Sequence, residues 1–118
     1  MSLDVTLFKC IKCPDCGCAI ESGEELFDAN ITHNLNKMAE AAGIYMEVWR
    51  PEEIGIDRAH QLISPLKKGL RKLKENPGFY RILESANGWG KYDNFVLWLE
   101  EYLKACKNNP DAFVKVNR

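Results

Sequence analysis

Two kinds of hydrophobic pattern occur along the chain, and each predicts a different secondary structure. Near the start, Asp4 to Phe8 alternates polar and apolar residues of β-favouring type, which predicts a short strand, and Cys18 to Glu21 predicts its return partner. From Tyr92 to Cys106, apolar residues recur every three or four positions, which predicts an amphipathic helix. Residues 112–116 then predict a last strand that can pair with the first.

The middle of the chain predicts two more helices. Thr32 to Ala42 has helical spacing, with Asn30 or Thr32 as the N-cap and Gly43 where a left-handed C-cap is needed. Asp57 to Lys74 carries a second apolar face, and Pro65 inside it predicts either a kink or the start of a new helix.

Shorter segments connect these helices. The short apolar run 44–49 is followed by Arg50 and Pro51, which predicts a loop or an extended link into the proline. Pro51 with two following glutamates suits a first helical turn, because proline is tolerated at N1 and acids favour the positive end of the helix dipole. Residues 79–83 predict one further turn.

Composition and charge narrow the class of protein. The chain has 118 residues, of which 46% are hydrophobic and 28% charged, as expected for one folded domain. The formal net charge of −1 gives no overall attraction to nucleic acid or to an anionic membrane. No apolar run approaches the ~20 residues of a membrane span, and the first residues lack a secretory pattern, so we expect a cytoplasmic protein.

Four of the five cysteines fall within nine residues, as Cys10-x2-Cys13-x2-Cys16-x-Cys18. In a reducing compartment such a cluster favours metal ligands over disulfides. The segment Cys13-Pro14-Asp15-Cys16-Gly17 has the spacing of a zinc knuckle, in which backbone N–H groups stabilise the thiolates. The sequence therefore predicts a structural Zn²⁺ bound by Cys10, Cys13, Cys16 and Cys18.

The cysteine cluster is also compatible with different ligand sets and roles. His33 is the best distant alternative ligand, ahead of His60 and Cys106, and a site shared between two protomers is another possibility. A reduced hairpin without metal fits the same spacing. A redox pair is disfavoured because no thioredoxin-type helix follows a strand at this point.

Together these features predict an α+β fold that is mainly helical. It has three to four helices, an N-terminal β-hairpin carrying the zinc knuckle, and a short C-terminal strand. We expect one domain over residues 1–118, with a cysteine-rich hairpin at 1–27 and a helical core with the C-terminal strand at 28–118.

Several polar and aromatic residues stand at predicted helix starts and loops, where they could form one pocket for a small polar or anionic ligand. The alternative is that the asparagines and threonine cap helices and that the tryptophans fill the edge of the core. The candidate ligand-binding residues are Asn30, Thr32, His33, Asn34, Trp49, Arg50, Asn87, Trp89 and Tyr92.

Two other classes of function are kept as alternatives. No P-loop, dinucleotide-binding, zinc-protease or serine-hydrolase motif occurs, so an enzyme would depend on His33 or His60 as a general base. The basic run Lys67 to Lys74 could contact nucleic acid or a protein, although a solvated helix face is the simpler interpretation.

From Asp28 to Arg118 the chain resembles a group of small proteins of no established activity that bacteria and their phages encode. The matching motifs are Asn30-Ile31-Thr32-His33-Asn34-Leu35, Trp49-Arg50-Pro51-Glu52-Glu53 and Asn87-Gly88-Trp89-Gly90-Lys91-Tyr92. This resemblance implies that the polar segments act together, and it carries no catalytic residue. We therefore expect a zinc-stabilised module that binds a small polar or anionic ligand.

Overall fold

The computed structural model describes residues 2–12, 17, 19–84 and 90–118. Over these residues the chain forms an antiparallel sheet with helices against one face, which confirms the predicted α+β class. The strands are β1 (Ser2–Lys12), β2 (Ala19–Thr32) and β3 (Phe113–Asn117). The helices are α1 (Asn36–Ala41), α2 (Tyr45–Trp49), α3 (His60–Glu75), α4 (Pro77–Ile82) and α5 (Tyr92–Asn108), with 3-10 turns at His33–Leu35 and Pro51–Ile54.

The strand β1 lies in the middle of the sheet, in the order β2-β1-β3. It pairs with β2 from Ser2↔Thr32 to Lys12↔Ala19, and with β3 from Asp4↔Asn117 to Phe8↔Phe113. The predicted pairing of the first and last strands is therefore confirmed. Alternate residues of β1 point to opposite faces, and the three on the helical side, Leu3, Val5 and Leu7, are fully buried.

An unbroken series of aromatic rings crosses the core from α2 to β2. Neighbouring ring centroids lie between 5.4 and 6.5 Å apart, within the range at which aromatic side chains attract one another. The rings belong, in spatial order, to Tyr45, Trp49, Phe95, Trp98, Tyr102 and Phe27. This series joins α2, α5 and the sheet into one packed unit.

The long helices agree with their periodicity, but the short segments differ from expectation. The helix α3 continues through Pro65, which costs one backbone hydrogen bond and does not divide the helix. The predicted link over residues 44–49 is wrong, because residues 45–49 form α2. The burial of Val48 and Trp49 gives this segment a packing reason to be helical that its sequence period does not reveal.

The return strand is much longer than Cys18 to Glu21, since β2 runs from Ala19 to Thr32. Its acidic residues disfavour a strand by propensity, yet Glu24 and Glu21 form ion pairs with Lys9 and Lys115 of the other strands. The predicted division between residues 27 and 28 falls inside this strand. The hairpin and the helical core therefore share one sheet.

Beyond Phe8, β1 has no partner in β3 and pairs only with β2. We call this two-stranded extension, residues 9–12 and 19–24, the arm. It projects about 13 Å past the last β1–β3 pair, and register shifts between Leu7 and Cys10 interrupt its base. The radius of gyration, 15.0 Å, exceeds the ~13.5 Å expected for a compact chain of this length, consistent with a projecting arm.

No helix within the described residues combines the length and the apolar character that crossing a bilayer requires.

The contact between α3 and the residue preceding α2 depends on a glycine. A Cβ atom on Gly69 would lie 2.6 Å from Cγ2 and 2.8 Å from Cδ1 of Ile44, which is itself buried. We expect Gly69→Ala to lower the free energy of unfolding by about 1–3 kcal/mol through overpacking, despite the better helix propensity of alanine. Urea denaturation measures this change.

Gly78, in the short helix α4, provides the matched control, because nothing lies within 4 Å of a Cβ placed there. Gly78→Ala should be neutral or slightly stabilising. Equal losses in the two variants would contradict a steric role for Ile44.

The core also holds two ionisable side chains, Cys106 and Tyr102, whose pKa values are raised by burial. Burial raises the pKa of the Cys106 thiol from 9.0 to about 12, and burial together with the nearby Cys106 raises the pKa of Tyr102 well above its usual value. The unfolded chain releases the thiol proton above pH 9, whereas the folded protein keeps it until the pH nears 12. Stability is therefore intact below pH 9 and falls as the pH rises through this window.

We expect the free energy of unfolding to fall by about 1.4 kcal/mol per pH unit from this thiol alone. Urea titrations between pH 8 and pH 11, chosen to span roughly the lower part of the window, would measure the slope. In Cys106→Ala the slope should be shallower, whatever the stability of the variant at pH 8. Identical slopes would show that the thiol does not contribute.

Candidate functional site

His33 and Trp49 form the central contact of the candidate site. His33 begins the 3-10 turn after β2, and Trp49 is the last residue of α2. The indole Nε1–H of Trp49 donates to Nδ1 of His33 at 3.0 Å, and the indole is only 1% exposed. The neutral imidazole then carries its proton on Nε2, which is buried and has no hydrogen-bond partner among the described residues.

Arg50, the residue after Trp49, donates hydrogen bonds to two side chains next to this contact. Its Nη1 donates to Oε2 of Glu53 at 2.6 Å, and its Nε donates to the Tyr45 hydroxyl at 3.4 Å. The Tyr45 ring stacks on Trp49 with centroids 5.7 Å apart. Hydrogen bonding to Glu53 raises the pKa of Arg50, which keeps the guanidinium charged.

Arg118, 69 positions after Trp49 in the sequence, also contacts Trp49 and its neighbour Glu52. Its Nη1 donates to the main-chain oxygen of Trp49 at 2.8 Å and to Oε1 of Glu52 at 2.5 Å. Partial burial of Glu52 acts to raise its pKa, but a backbone hydrogen bond and Arg118 outweigh it, so the pKa of Glu52 is lowered. Sequence reasoning missed this arginine, because no local pattern links residues 69 positions apart.

Gly90 belongs to a third segment, which packs against the turn that begins at His33. Its φ of +87° is strained for other residues, and a Cβ there would lie 3.2 Å from Cγ of Leu35 and 3.3 Å from Cβ of Asn34. The last part of the motif 87–92 thus packs on the motif 30–35. We call residues 32–34, 49–53, 90 and 118 the polar corner.

The remaining predicted ligand-binding residues occupy different positions. Thr32 is the N-cap, accepting from the backbone N–H of Asn34 at 3.3 Å, and Asn34 itself is exposed. Asn30 lies on the outer face of the sheet, where its amide donates to Asp4 at 2.6 Å and to Ser2 at 2.9 Å. Tyr92 is buried and donates its hydroxyl to the Leu73 carbonyl at 2.7 Å. Asn87 and Trp89 lie outside the described residues.

Of the predicted metal ligands the structure describes Cys10, which lies in the arm, towards the end of the sheet opposite His33. Cys13, Cys16 and Cys18 lie outside the described residues, and the rest of the chain holds no group of three metal-ligating side chains. The ladder from Ser2↔Thr32 to Lys12↔Ala19 separates the two ends by about 33 Å. Cys10, eight residues along β1 from Ser2, is therefore too far from His33 to bind the same ion within one chain.

Cys10 lies in the arm, and its sulfur contacts the body of the protein. Nη2 of Arg58 donates to the Cys10 Sγ at 3.3 Å, while Nε of Arg58 donates to the Asp111 carbonyl at 2.9 Å. The guanidinium also lies 4.5 Å from the centroid of the Phe113 ring. Sequence reasoning missed Arg58 because only the folded chain brings residues 10 and 58 together.

The surroundings of the histidines and of the basic run on α3 do not favour either alternative function. His60 is exposed at the start of α3, and neither histidine has a carboxylate partner among the described residues. The basic run on α3 is solvent-exposed at Lys67, Lys68, Arg71, Lys72 and Lys74, and Lys74 pairs with Glu100 at 2.8 Å.

A scan against protein-family models, a search of curated proteins and a search of solved structures each find no match to this chain.

The His33–Trp49 hydrogen bond should stabilise the fold measurably. Removing the imidazole by His33→Ala leaves the buried indole N–H without its acceptor, so we expect the free energy of unfolding to fall by about 1–3 kcal/mol. His60→Ala is the control, since His60 is exposed and should change stability by less than about 0.5 kcal/mol. Urea denaturation measures the free energy of unfolding of both variants. Similar losses in the two would show that the His33–Trp49 hydrogen bond does not stabilise the fold.

Proposed function

We propose that the protein is a binding module that holds a small polar or anionic ligand at the polar corner, with a zinc-bearing arm at the other end of its sheet. One observation carries the first part of this proposal. Segments that lie far apart in the sequence, near residues 33, 50 and 90, meet at a single corner. A role confined to capping would not require the three motifs to share one place.

The chemistry available at the corner favours a ligand with acceptor oxygens. The Nε2–H of His33 is a donor without an acceptor among the described residues, and a buried donor left unpaired costs about 1–3 kcal/mol. A ligand oxygen would recover that cost if its binding opened a path to this buried proton. Arg50 adds a permanent positive charge at the edge, partly balanced by Glu53.

The buried aromatic residues would then act indirectly. Trp49 orients the imidazole through its hydrogen bond, and Tyr92 anchors the start of α5 to α3. Because both rings are buried, we assign them positioning roles and leave ligand contact to Thr32, His33, Asn34 and Arg50. Asn87 and Trp89 are proposed as further contacts from the sequence motif alone. Membership of the bacterial and phage group that shares these motifs is part of the same proposal.

The zinc part of the proposal is supported by the arm. An isolated two-stranded hairpin is at best marginally stable in water, so a metal bound at the end of the arm would add to its stability. The pair Lys12↔Ala19 brings the two ends of the segment 13–18 together, and that segment carries three cysteines. A tetrahedral Zn²⁺ bound by thiolates would close the hairpin, and its role would be structural.

Inorganic phosphate is a suitable first probe for the corner, followed by amide NMR spectroscopy. We expect the resonances of residues 32–34, 50 and 90 to shift together as phosphate is added. Arg50→Ala should weaken the apparent affinity about tenfold, equivalent to roughly 1.4 kcal/mol, because it removes the charge at the site.

Arg71→Ala is the matched control, since Arg71 is an exposed arginine on the basic face of α3 and is not part of the polar corner. It should leave the affinity unchanged. Shifts that follow the lysines of α3, or equal weakening by both variants, would mean non-specific attraction and would refute the proposed anion site.

A further inference from the structure

The edge of β3 that faces away from β1 is covered along only part of its length. The Val114 N–H donates to the Asp57 carbonyl at 2.9 Å. The Ala59 N–H donates to the Ala112 carbonyl, also at 2.9 Å. Because the main-chain groups of alternate residues in a strand point to opposite sides, those of Val114 and Val116 both face away from β1. The covering segment pairs with the strand only as far as Val114.

The side chain of Gln61 holds the covering segment at the point where this pairing stops. Its Oε1 accepts from the main-chain N–H groups of Asp57 and Arg58 at 2.9 Å each, and its Nε2 donates to the Gly55 carbonyl at 3.2 Å. The Asp57 N–H is therefore not available to the Val114 carbonyl. That carbonyl, and both main-chain groups of Val116, have no hydrogen-bond partner among the described residues.

A cavity of about 520 Å³ lies beside these unpaired groups. Val114 and Val116 line it from the strand, and Gly55 and Asp57 line it from the loop that precedes α3. Neighbouring strands of a sheet are about 4.8 Å apart, so a strand added to the open part of β3 would lie in this cavity.

The charges around the cavity favour a basic ligand. Glu52 pairs with Arg118, and Lys115 pairs with Glu21 at 3.3 Å. Asp57, which is exposed, has no ion-pair partner among the described residues. Its carboxylate is the uncompensated charge at the cavity, and a lysine or arginine of the ligand would balance it.

We infer that the cavity binds an extended peptide segment of a partner protein, which adds to the sheet as a fourth strand beside β3 and places a basic side chain next to Asp57. A second copy of this chain is a poorer occupant, because its own β3 edge is flanked by the same loop. A single extended segment has no such obstruction. This inference depends on neither the proposed anion site nor the proposed zinc.

A short capped peptide of alternating threonine and valine, with one central lysine, is the probe for the full chain. At saturation we expect it to slow hydrogen exchange of the Val116 amide at least about tenfold, because that N–H becomes hydrogen-bonded. Asp57→Asn should weaken the affinity about three- to fivefold, as loss of an exposed ion pair does. Asp111→Asn is the matched control and should leave the affinity unchanged, since Asp111 is exposed and does not line the cavity.

A peptide with glutamate in place of the lysine should bind more weakly than the lysine peptide. Equal affinities of the two peptides, or equal losses in Asp57→Asn and Asp111→Asn, would overturn the inference. Peptide-induced protection along β2 in place of Val116 would also overturn it, because the peptide would then pair with the other edge of the sheet. Protection of Val116 that follows protein concentration without peptide would assign the edge to a second copy and overturn it as well.

Discussion

The pairing of β1 with strands from both ends of the chain is the constraint on which the rest of the structure depends. On one side β1 pairs with β2, its hairpin partner. On the other side it pairs with β3, which follows all the helices in the sequence. Its buried residues Leu3, Val5 and Leu7 provide the surface on which those helices pack. Because the pairing with β3 stops at Phe8, the same strand belongs to the core along one half and to the arm along the other.

This arrangement also separates the two candidate activities in space. The polar corner lies where β2 ends, at Thr32, and the arm lies where β2 begins. The strand pairs between them keep the two ends of the sheet about 33 Å apart. The two halves of the proposal can therefore be judged independently.

Sequence patterns predicted the parts of the fold that are decided locally or by a strong period. The repeat from Tyr92 to Cys106 identified α5, and Thr32 was one of the two residues predicted as a cap from residue type and position. The helix α2 could not be predicted in this way, because burial of Trp49 against the core outweighs any local preference. The length of β2 was hidden by acidic residues, whose partners Lys9 and Lys115 lie on other strands.

For the site, sequence patterns grouped the right motifs without identifying how they connect. His33 and Trp49 were both named, but their hydrogen bond and the burial of the indole required the folded chain. Arg118 and Arg58 were missed because each acts on a residue tens of positions away. Long-range contacts of a single arginine leave no periodic signal in a sequence.

The positions of Ser2 and Arg118 determine where a tag or domain attached to either residue would lie. Ser2 pairs with Thr32, and Arg118 reaches the main chain of Trp49, so both positions border the polar corner. A tag or neighbouring domain fused at either position would emerge beside the corner and compete for the space around it. The arm, on the other hand, points away from both fusion points and would keep free access to its surroundings.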